Sequence, residues 1–129
     1  MKTFNDLFKS NKDIEERFRL DPGYLKKNDL ITIYAQYNYE DYSGGAFLLF
    51  WHKKSNRIFE VNGSHCSCYG LEGQFTLEPT KLRSVVMRES SGRYNYKDIA
   101  KFASIRLLRL KSAQLLKEKQ NGNTKKQLH

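Results

Sequence analysis

The chain has 129 residues, of which 39% are hydrophobic, and it carries a formal net charge of +9. This length suits one domain, and the apolar content excludes a disordered or collagen-like chain. No apolar run approaches the ~18 residues that a membrane-spanning helix needs, so the sequence predicts a cytoplasmic protein without a membrane partner.

The N-terminal segment shows the periodicity of a helix. Phe4 and Phe8 are separated by four residues, and so are Ile14 and Phe18; this spacing puts each pair on one helical face. Residues 21–23, Asp-Pro-Gly, are typical of a turn that ends a helix. The sequence therefore predicts an N-terminal helix ahead of the first strand.

Three segments after this turn carry the residue types typical of strands. Ile, Thr and Tyr dominate the first segment, the second is almost wholly apolar, and the third places Glu60 and Asn62 on one face and Phe59 and Val61 on the other. A continuous apolar strand suits the middle of a sheet that is covered on both faces. The segments are residues 30–39, 46–52 and 57–62, with Gly44-Gly45 as the first reversal and a short fourth strand predicted at 75–77.

The turn between the second and third strands predicts a pairing register. If His52 and Arg57 flank this turn, counting back along both strands brings His65 beside residues 42–45. One rim of the sheet should then gather residues 39–43 with the segment around His65. His52 should lie at the opposite rim, well over 10 Å from His65 at ~3.3 Å per strand residue.

Helical patterns return in the C-terminal part of the chain. Thr80 can cap a short helix, and a long helix with an apolar stripe is predicted from Tyr96 to about Lys119. Residues 121–129 are predicted to form a frayed basic tail, which leaves residues 1–120 as a single domain. The predicted class is α+β, with an N-terminal helix, an antiparallel meander of three to four strands, and C-terminal helices packed on one face of the sheet.

The positive charge is concentrated in the last quarter of the chain. Residues 97–129 contain nine basic and two acidic side chains, whereas residues 1–48 contain seven basic and eight acidic ones. A basic segment can bind phosphates by releasing their counterions, although a solvated helix face has the same composition. The candidate binding residues are Lys97, Lys101, Arg106, Arg109, Lys111 and Lys117.

The segment after the third strand concentrates reactive side chains. It reads Gly63-Ser64-His65-Cys66-Ser67-Cys68-Tyr69-Gly70-Leu71-Glu72-Gly73-Gln74 and contains both cysteines of the chain. A disulfide between cysteines one residue apart would close almost no loop, so reduced thiols are predicted. Together with the neighbouring rim, the candidate site residues are His65, Cys66, Cys68, Tyr69, Glu40 and Asp41.

Several interpretations of this segment are open. A zinc site would use His65, Cys66 and Cys68 with a carboxylate as a further ligand, although adjacent residues of an extended chain point apart. A thiol enzyme would use one cysteine as the nucleophile and His65 as its base. A packed turn or a partner-binding loop needs no chemistry, and the sequence predicts no bound cofactor.

The same segment carries a resemblance to known proteins. From Glu60 to Phe75, and in the preceding turn at residues 39–45, the chain resembles small uncharacterised proteins of phages and mobile elements. The resemblance covers roughly residues 34–78, with Phe75 where those proteins usually have tryptophan. It implies a mobile-element setting and carries no established activity with it.

Charge and resemblance together predict a binding protein rather than an enzyme. The principal hypothesis is a phage or mobile-element inhibitor or accessory protein that binds a ribonucleoprotein or nuclease of the host. An anti-CRISPR protein that blocks an RNA-guided nuclease is its concrete version. A second hypothesis is an RNA- or DNA-binding module that uses the basic helix and stacks bases on Tyr34 and Tyr37. The third is the enzyme or zinc site at residues 65–68.

Overall fold

A five-stranded mixed sheet organises the fold in the computed structural model, which describes residues 1–40 and 42–127. The strands lie side by side in chain order, so each strand pairs with its neighbour in sequence. The strands are β1 (Phe4–Asp6), β2 (Leu30–Glu40), β3 (Ser43–His52), β4 (Arg57–Cys66) and β5 (Glu78–Thr80). The helices are α1 (Asn11–Arg17), α2 (Tyr24–Lys27), α3 (Leu82–Val86) and α4 (Tyr96–Gln127).

The prediction of a helix at the very N-terminus is wrong for its first part. Phe4 is extended and pairs with Ala35 of β2, so β1 is a parallel edge strand that makes the sheet mixed. The helix begins only at Asn11, where the Ser10 hydroxyl accepts a hydrogen bond from the Asp13 amide and caps it. Phe8 is buried as expected, because the chain between strand and helix folds it into the core.

The antiparallel meander of β2, β3 and β4 is confirmed, and so is its register. His52 pairs with Arg57, and His65 pairs with Gly44 at the other end of β3. The predicted reversal at Gly44-Gly45 is wrong, since both glycines lie inside β3.

The short fourth strand of the prediction lies three residues later than expected. It occupies 78–80 and includes Pro79, which pairs with Phe59 of β4. Proline is tolerated there because an edge strand needs hydrogen bonds along only one side. Thr80 therefore lies in a strand, and Lys81 takes the N-cap position of α3.

Two hydrophobic cores lie on opposite faces of the sheet. One packs Phe8, Ile14 and Phe18 against Leu48 and Phe50, so it lies under the N-terminal helices. The other packs side chains of α3 and α4 against the alternate residues of β3; they include Val85, Ile99, Ala103, Phe47, Leu49 and Trp51. Strand β3 is consequently buried on both faces, as its continuous apolar sequence predicted.

Helix α4 begins at Tyr96 as predicted but is longer than expected. It continues to Gln127, beyond the predicted end near Lys119, and residues 128–129 lie outside the described part of the chain. The predicted boundary between a domain at 1–120 and a tail at 121–129 stays a prediction.

Candidate functional site

Among the described side chains of α4, those that are buried lie in its first half. Ile99, Ala103 and Leu107 are buried there, while every side chain from Leu115 to Asn121 is exposed. At 1.5 Å per residue, the stretch from Leu115 to Gln127 is about 20 Å long. We call residues 115–127 the distal part of α4.

Of the six predicted binding residues of α4, four have exposed side chains and two have half-buried ones. Lys97, Lys101, Arg109 and Lys117 are exposed, whereas Arg106 and Lys111 are half-buried. The Arg106 Nε donates to the Thr32 carbonyl oxygen at 3.1 Å, and burial lowers the pKa of Arg106. Lys111 lies beside Trp51 at the end of the sheet. The sheet thus orients two of these cations and leaves four open to solvent.

The exposed cations of α4 have no carboxylate partner among the residues that the structure describes. The ion pairs found in that part of the chain are Glu60–Arg88 at 2.6 Å and Lys12–Glu16 at 3.9 Å, and neither involves α4. An exposed lysine or arginine without an ion pair has no internal contact to give up when it meets an external anion.

Apolar side chains share the exposed surface of α4 with these cations. Ile105, Leu108, Leu115 and Leu116 are all exposed, Leu108 to 67%. Because residues three and eleven apart recur on one side of a helix, Ile105, Leu108 and Leu116 form a stripe away from the sheet, which we call the outer stripe. Leu115 is exposed but borders a cavity that Trp51 also lines. Sequence analysis predicted a single apolar stripe along this helix. The offset of Leu108 from the repeat of Ile99, Ala103 and Leu107 was the signal that could have separated exposed from buried apolar side chains.

The predicted rim at the other end of the sheet assembles as expected in its backbone. Glu40 pairs with Ser43, and Ser43 pairs with Cys66. Asp41 and the side chain of Glu40 lie outside what the structure describes. The described side chains of this rim are those of Tyr39, Tyr42 and Ser43 together with the His65–Tyr69 segment.

His65 is locked into the core face of this rim. It is buried, its Nδ1 shares a short hydrogen bond with the Tyr37 hydroxyl, and the Tyr39 ring stacks on it at 4.8 Å between centroids. Gly44 makes room for the imidazole, since a Cβ at that position would lie 2.7 Å from His65 Cε1. The ring thus acts as a packed side chain between two tyrosines.

Cys66 projects from the opposite face of β4, because consecutive strand residues alternate. Its sulfur accepts a hydrogen bond from the Cys68 amide at 3.3 Å. That backbone hydrogen bond is the main reason why the pKa of Cys66 is lowered. In the described part of the chain, no hydrogen bond joins His65 to either thiol, so the histidine–cysteine pair of the thiol-enzyme hypothesis is not assembled in this conformation.

Within residues 1–40 and 42–127, no three His, Cys, Asp or Glu side chains are grouped so that they could hold a metal ion. The zinc site at His65, Cys66 and Cys68 stays a prediction, as does the expectation of no cofactor.

The strand tyrosines proposed for base stacking are not on the surface. Tyr34 and Tyr37 are 2% and 3% exposed, and burial raises the pKa of both phenols. Tyr69, by contrast, is exposed at the turn after β4. Stacking on Tyr34 and Tyr37 is therefore ruled out in this conformation.

Comparison with protein-family models, with curated proteins and with solved structures found no match to this chain. Among the helices that the structure describes, none has both the length and the hydropathy needed to cross a bilayer.

Proposed function

We propose that this chain is a non-enzymatic binding protein of phage or mobile-element type that docks through α4 on a ribonucleoprotein or nuclease of the host. The observation that carries the proposal is the open surface of α4, where Lys97, Lys101, Arg109 and Lys117 are exposed and unpaired within the described residues. The phage setting rests on the resemblance of residues 34–78, and the host cytoplasm follows from such a partner.

Phosphates are the anions that this surface suits best. Each lysine or arginine that neutralises a phosphate releases condensed counterions, so binding weakens steeply as salt is added. Arg106 supports the surface, because its bond to Thr32 anchors the helix to the sheet. The rigid helix then presents the exposed cations at fixed spacing.

The outer stripe favours a target that contains protein as well as nucleic acid. Leucine and isoleucine side chains gain nothing from phosphates, whereas their burial on a protein gains about 25 cal/mol per Å². Ile105 and Leu108 lie between Lys101 and Arg109 along the helix, so one partner can contact both kinds of side chain. A ribonucleoprotein offers both, which favours it over naked RNA or DNA.

A charge-matched pair of variants tests the proposal. The binding variant carries Lys101→Gln, Arg109→Gln and Lys117→Gln; the control carries Lys12→Gln, Lys26→Gln and Lys54→Gln, which are exposed cations outside α4. Both variants lose three positive charges, so a general effect of net charge should change partner capture equally in the two. Pull-downs from host lysate are done with and without RNase. We expect the wild type and the control to capture the same nucleic-acid complex, and the binding variant to capture about tenfold less of it.

A salt titration with purified host RNA measures the phosphate contacts directly. The slope of log affinity against log salt should become shallower by about 2 to 3 in the binding variant and stay unchanged in the control. Equal capture by the two variants, or no specific partner in either RNase arm, would refute docking through α4. For the anti-CRISPR version, the wild type and the control should inhibit cleavage by an RNA-guided nuclease, and the binding variant should not.

A further inference from the structure

The turn after β4 brings both thiols of the chain together at the surface. Strand β4 ends at Cys66, and the backbone folds back so that Cys66 and Tyr69 exchange two hydrogen bonds, at 3.2 and 3.4 Å. Cys66 is half-buried and Cys68 is exposed. Solvent therefore reaches this dithiol.

Of the two thiols, Cys66 is the more reactive, because the Cys68 amide lies beside its sulfur. The amide donates to the Cys66 sulfur at 3.3 Å, and a donor aimed at sulfur stabilises the thiolate over the thiol. Since the thiolate is the nucleophile in disulfide exchange, Cys66 is the attacking sulfur.

A glutamine side chain holds the turn in place. The Gln74 amide nitrogen donates to the carbonyl oxygens of Ser64 and Gly70, each at 2.7 Å, and its oxygen accepts from the Ser64 amide at 2.8 Å. Gln74 thus ties the last residues of β4 to the far side of the turn. Both thiols lie between these anchor points, so their relative position is fixed by the fold.

The spacing allows a disulfide that has no structural purpose. Cys66 and Cys68 have one residue between them, so their Cα atoms can be at most about 7 Å apart. A turn shortens this distance into the range of about 4.4–6.8 Å that disulfides require. The bond would enclose a single residue, so it would remove almost no entropy from the unfolded chain. A disulfide that is exposed and closes a small ring belongs to the readily reduced kind.

We propose that Cys66 and Cys68 form a redox dithiol that exchanges with small-molecule disulfides of the glutathione class. The Cys66 thiolate attacks one sulfur of glutathione disulfide, whose S–S bond breaks and releases one glutathione thiolate. Cys68 then gives its proton to water and attacks the Cys66 sulfur, forming the intramolecular disulfide and releasing the second glutathione. One disulfide is consumed and one is formed, so thiols and electrons balance. This chemistry is independent of docking through α4.

The test uses the full-length reduced protein and the variants C66S and C68S. In glutathione buffers of graded oxidation, the wild type should lose two thiols together, reversibly, as measured by intact mass and thiol counting. C68S should accumulate a glutathione adduct on Cys66, because the resolving thiol is missing. C66S should form a glutathione adduct on Cys68 about tenfold more slowly than C68S forms one on Cys66.

Alkylation of the wild type in urea supplies the internal control. In the folded protein, Cys66 should react with iodoacetamide about tenfold faster than Cys68 near neutral pH, and unfolding should abolish this difference because the turn is lost. The proposal is overturned if the wild type stays a dithiol in every glutathione buffer, if C68S collects no adduct, or if Cys68 proves the faster thiol.

Discussion

The rim of the sheet around His65 and the distal part of α4 are built in opposite ways. At the rim, the imidazole fills the space between Tyr37, Tyr39 and Gly44. Along the distal part of α4, every described side chain from Leu115 to Asn121 is exposed. The difference teaches that substitutions at the rim should change stability, whereas substitutions of exposed side chains on α4 should change binding and leave stability almost unaltered.

The largest expected effect on stability is at Gly44, the first of two adjacent glycines in β3. In Gly44→Ala, the new Cβ would lie 2.2 Å from the Asn38 carbonyl oxygen and 2.7 Å from His65 Cε1, so backbone must move. We expect a loss of about 3 kcal/mol of unfolding free energy in urea denaturation.

Gly45→Ala is the matched control for this prediction. Its Cβ would meet Arg93 Nη1 at 2.7 Å and the Tyr94 hydroxyl at 2.8 Å, on the other face of the sheet. These are ends of side chains and the arginine can move, so we expect a loss of about 1 kcal/mol. A loss at Gly45 that equals or exceeds the loss at Gly44 would contradict the crowded rim.

A smaller effect on stability is expected at the ion pair between the buried Glu60 and the half-buried Arg88. Glu60 is 6% exposed and accepts two hydrogen bonds from Arg88, at 3.1 and 2.6 Å. Arg88→Met should cost about 2 kcal/mol, because it leaves a buried carboxylate without its cation. Lys12→Met, which breaks the exposed pair with Glu16, should cost less than about 0.5 kcal/mol.

The pH dependence of the same pair has a definite sign. Burial alone would raise the pKa of Glu60, but hydrogen bonds from Arg88, Thr80 and Asn62 outweigh it and hold the pKa below 4.5. A lowered carboxyl pKa stabilises the fold above the pKa of the unfolded state, and this stabilisation is lost as pH falls through the folded value. The difference in unfolding free energy between wild type and Arg88→Met should therefore be largest at pH 7 and should become smaller below about pH 4. A gap that widens in acid would rule out this role for the pair.

The smallest expected change in stability is on the outer stripe. Leu108→Gln should alter the unfolding free energy by less than about 0.5 kcal/mol, since the side chain is 67% exposed, yet it should weaken capture of the proposed partner. The neighbouring Leu107 is only 8% exposed, and Leu107→Gln should cost more than about 2 kcal/mol. If Leu108→Gln destabilised the fold as much as Leu107→Gln, α4 would not be an open binding surface.

The central meander and its register were predictable because the information is local. The polar turn at residues 53–56 joins β3 to β4, and one correctly placed turn fixes every later pair of an antiparallel hairpin. The continuous apolar residues of β3 likewise predict burial on both faces without any knowledge of what covers them.

At the candidate site, the sequence identified the reactive residue types but not their partners. His65 and Cys66 are adjacent, and their alternation in a strand was foreseen as an obstacle to shared chemistry. That His65 would face Tyr37 and Tyr39 depends on atoms brought together from distant parts of the chain. That Gln74 would anchor the turn depends on how the backbone folds between Ser64 and Gly70. No spacing rule in the sequence encodes those contacts.

By itself, the sequence determined the hairpin order, the buried central strand and the basic helix, since each depends on the pattern of neighbouring residues. Only the tertiary structure decided that Phe4–Asp6 is a strand, because its partner Ala35 lies 31 residues beyond Phe4 in the chain. Only the tertiary structure also showed that Arg106 is hydrogen-bonded to the sheet whereas Arg109 is exposed. A helical repeat gives the direction of a side chain, whereas burial depends on which other elements occupy the space beside it.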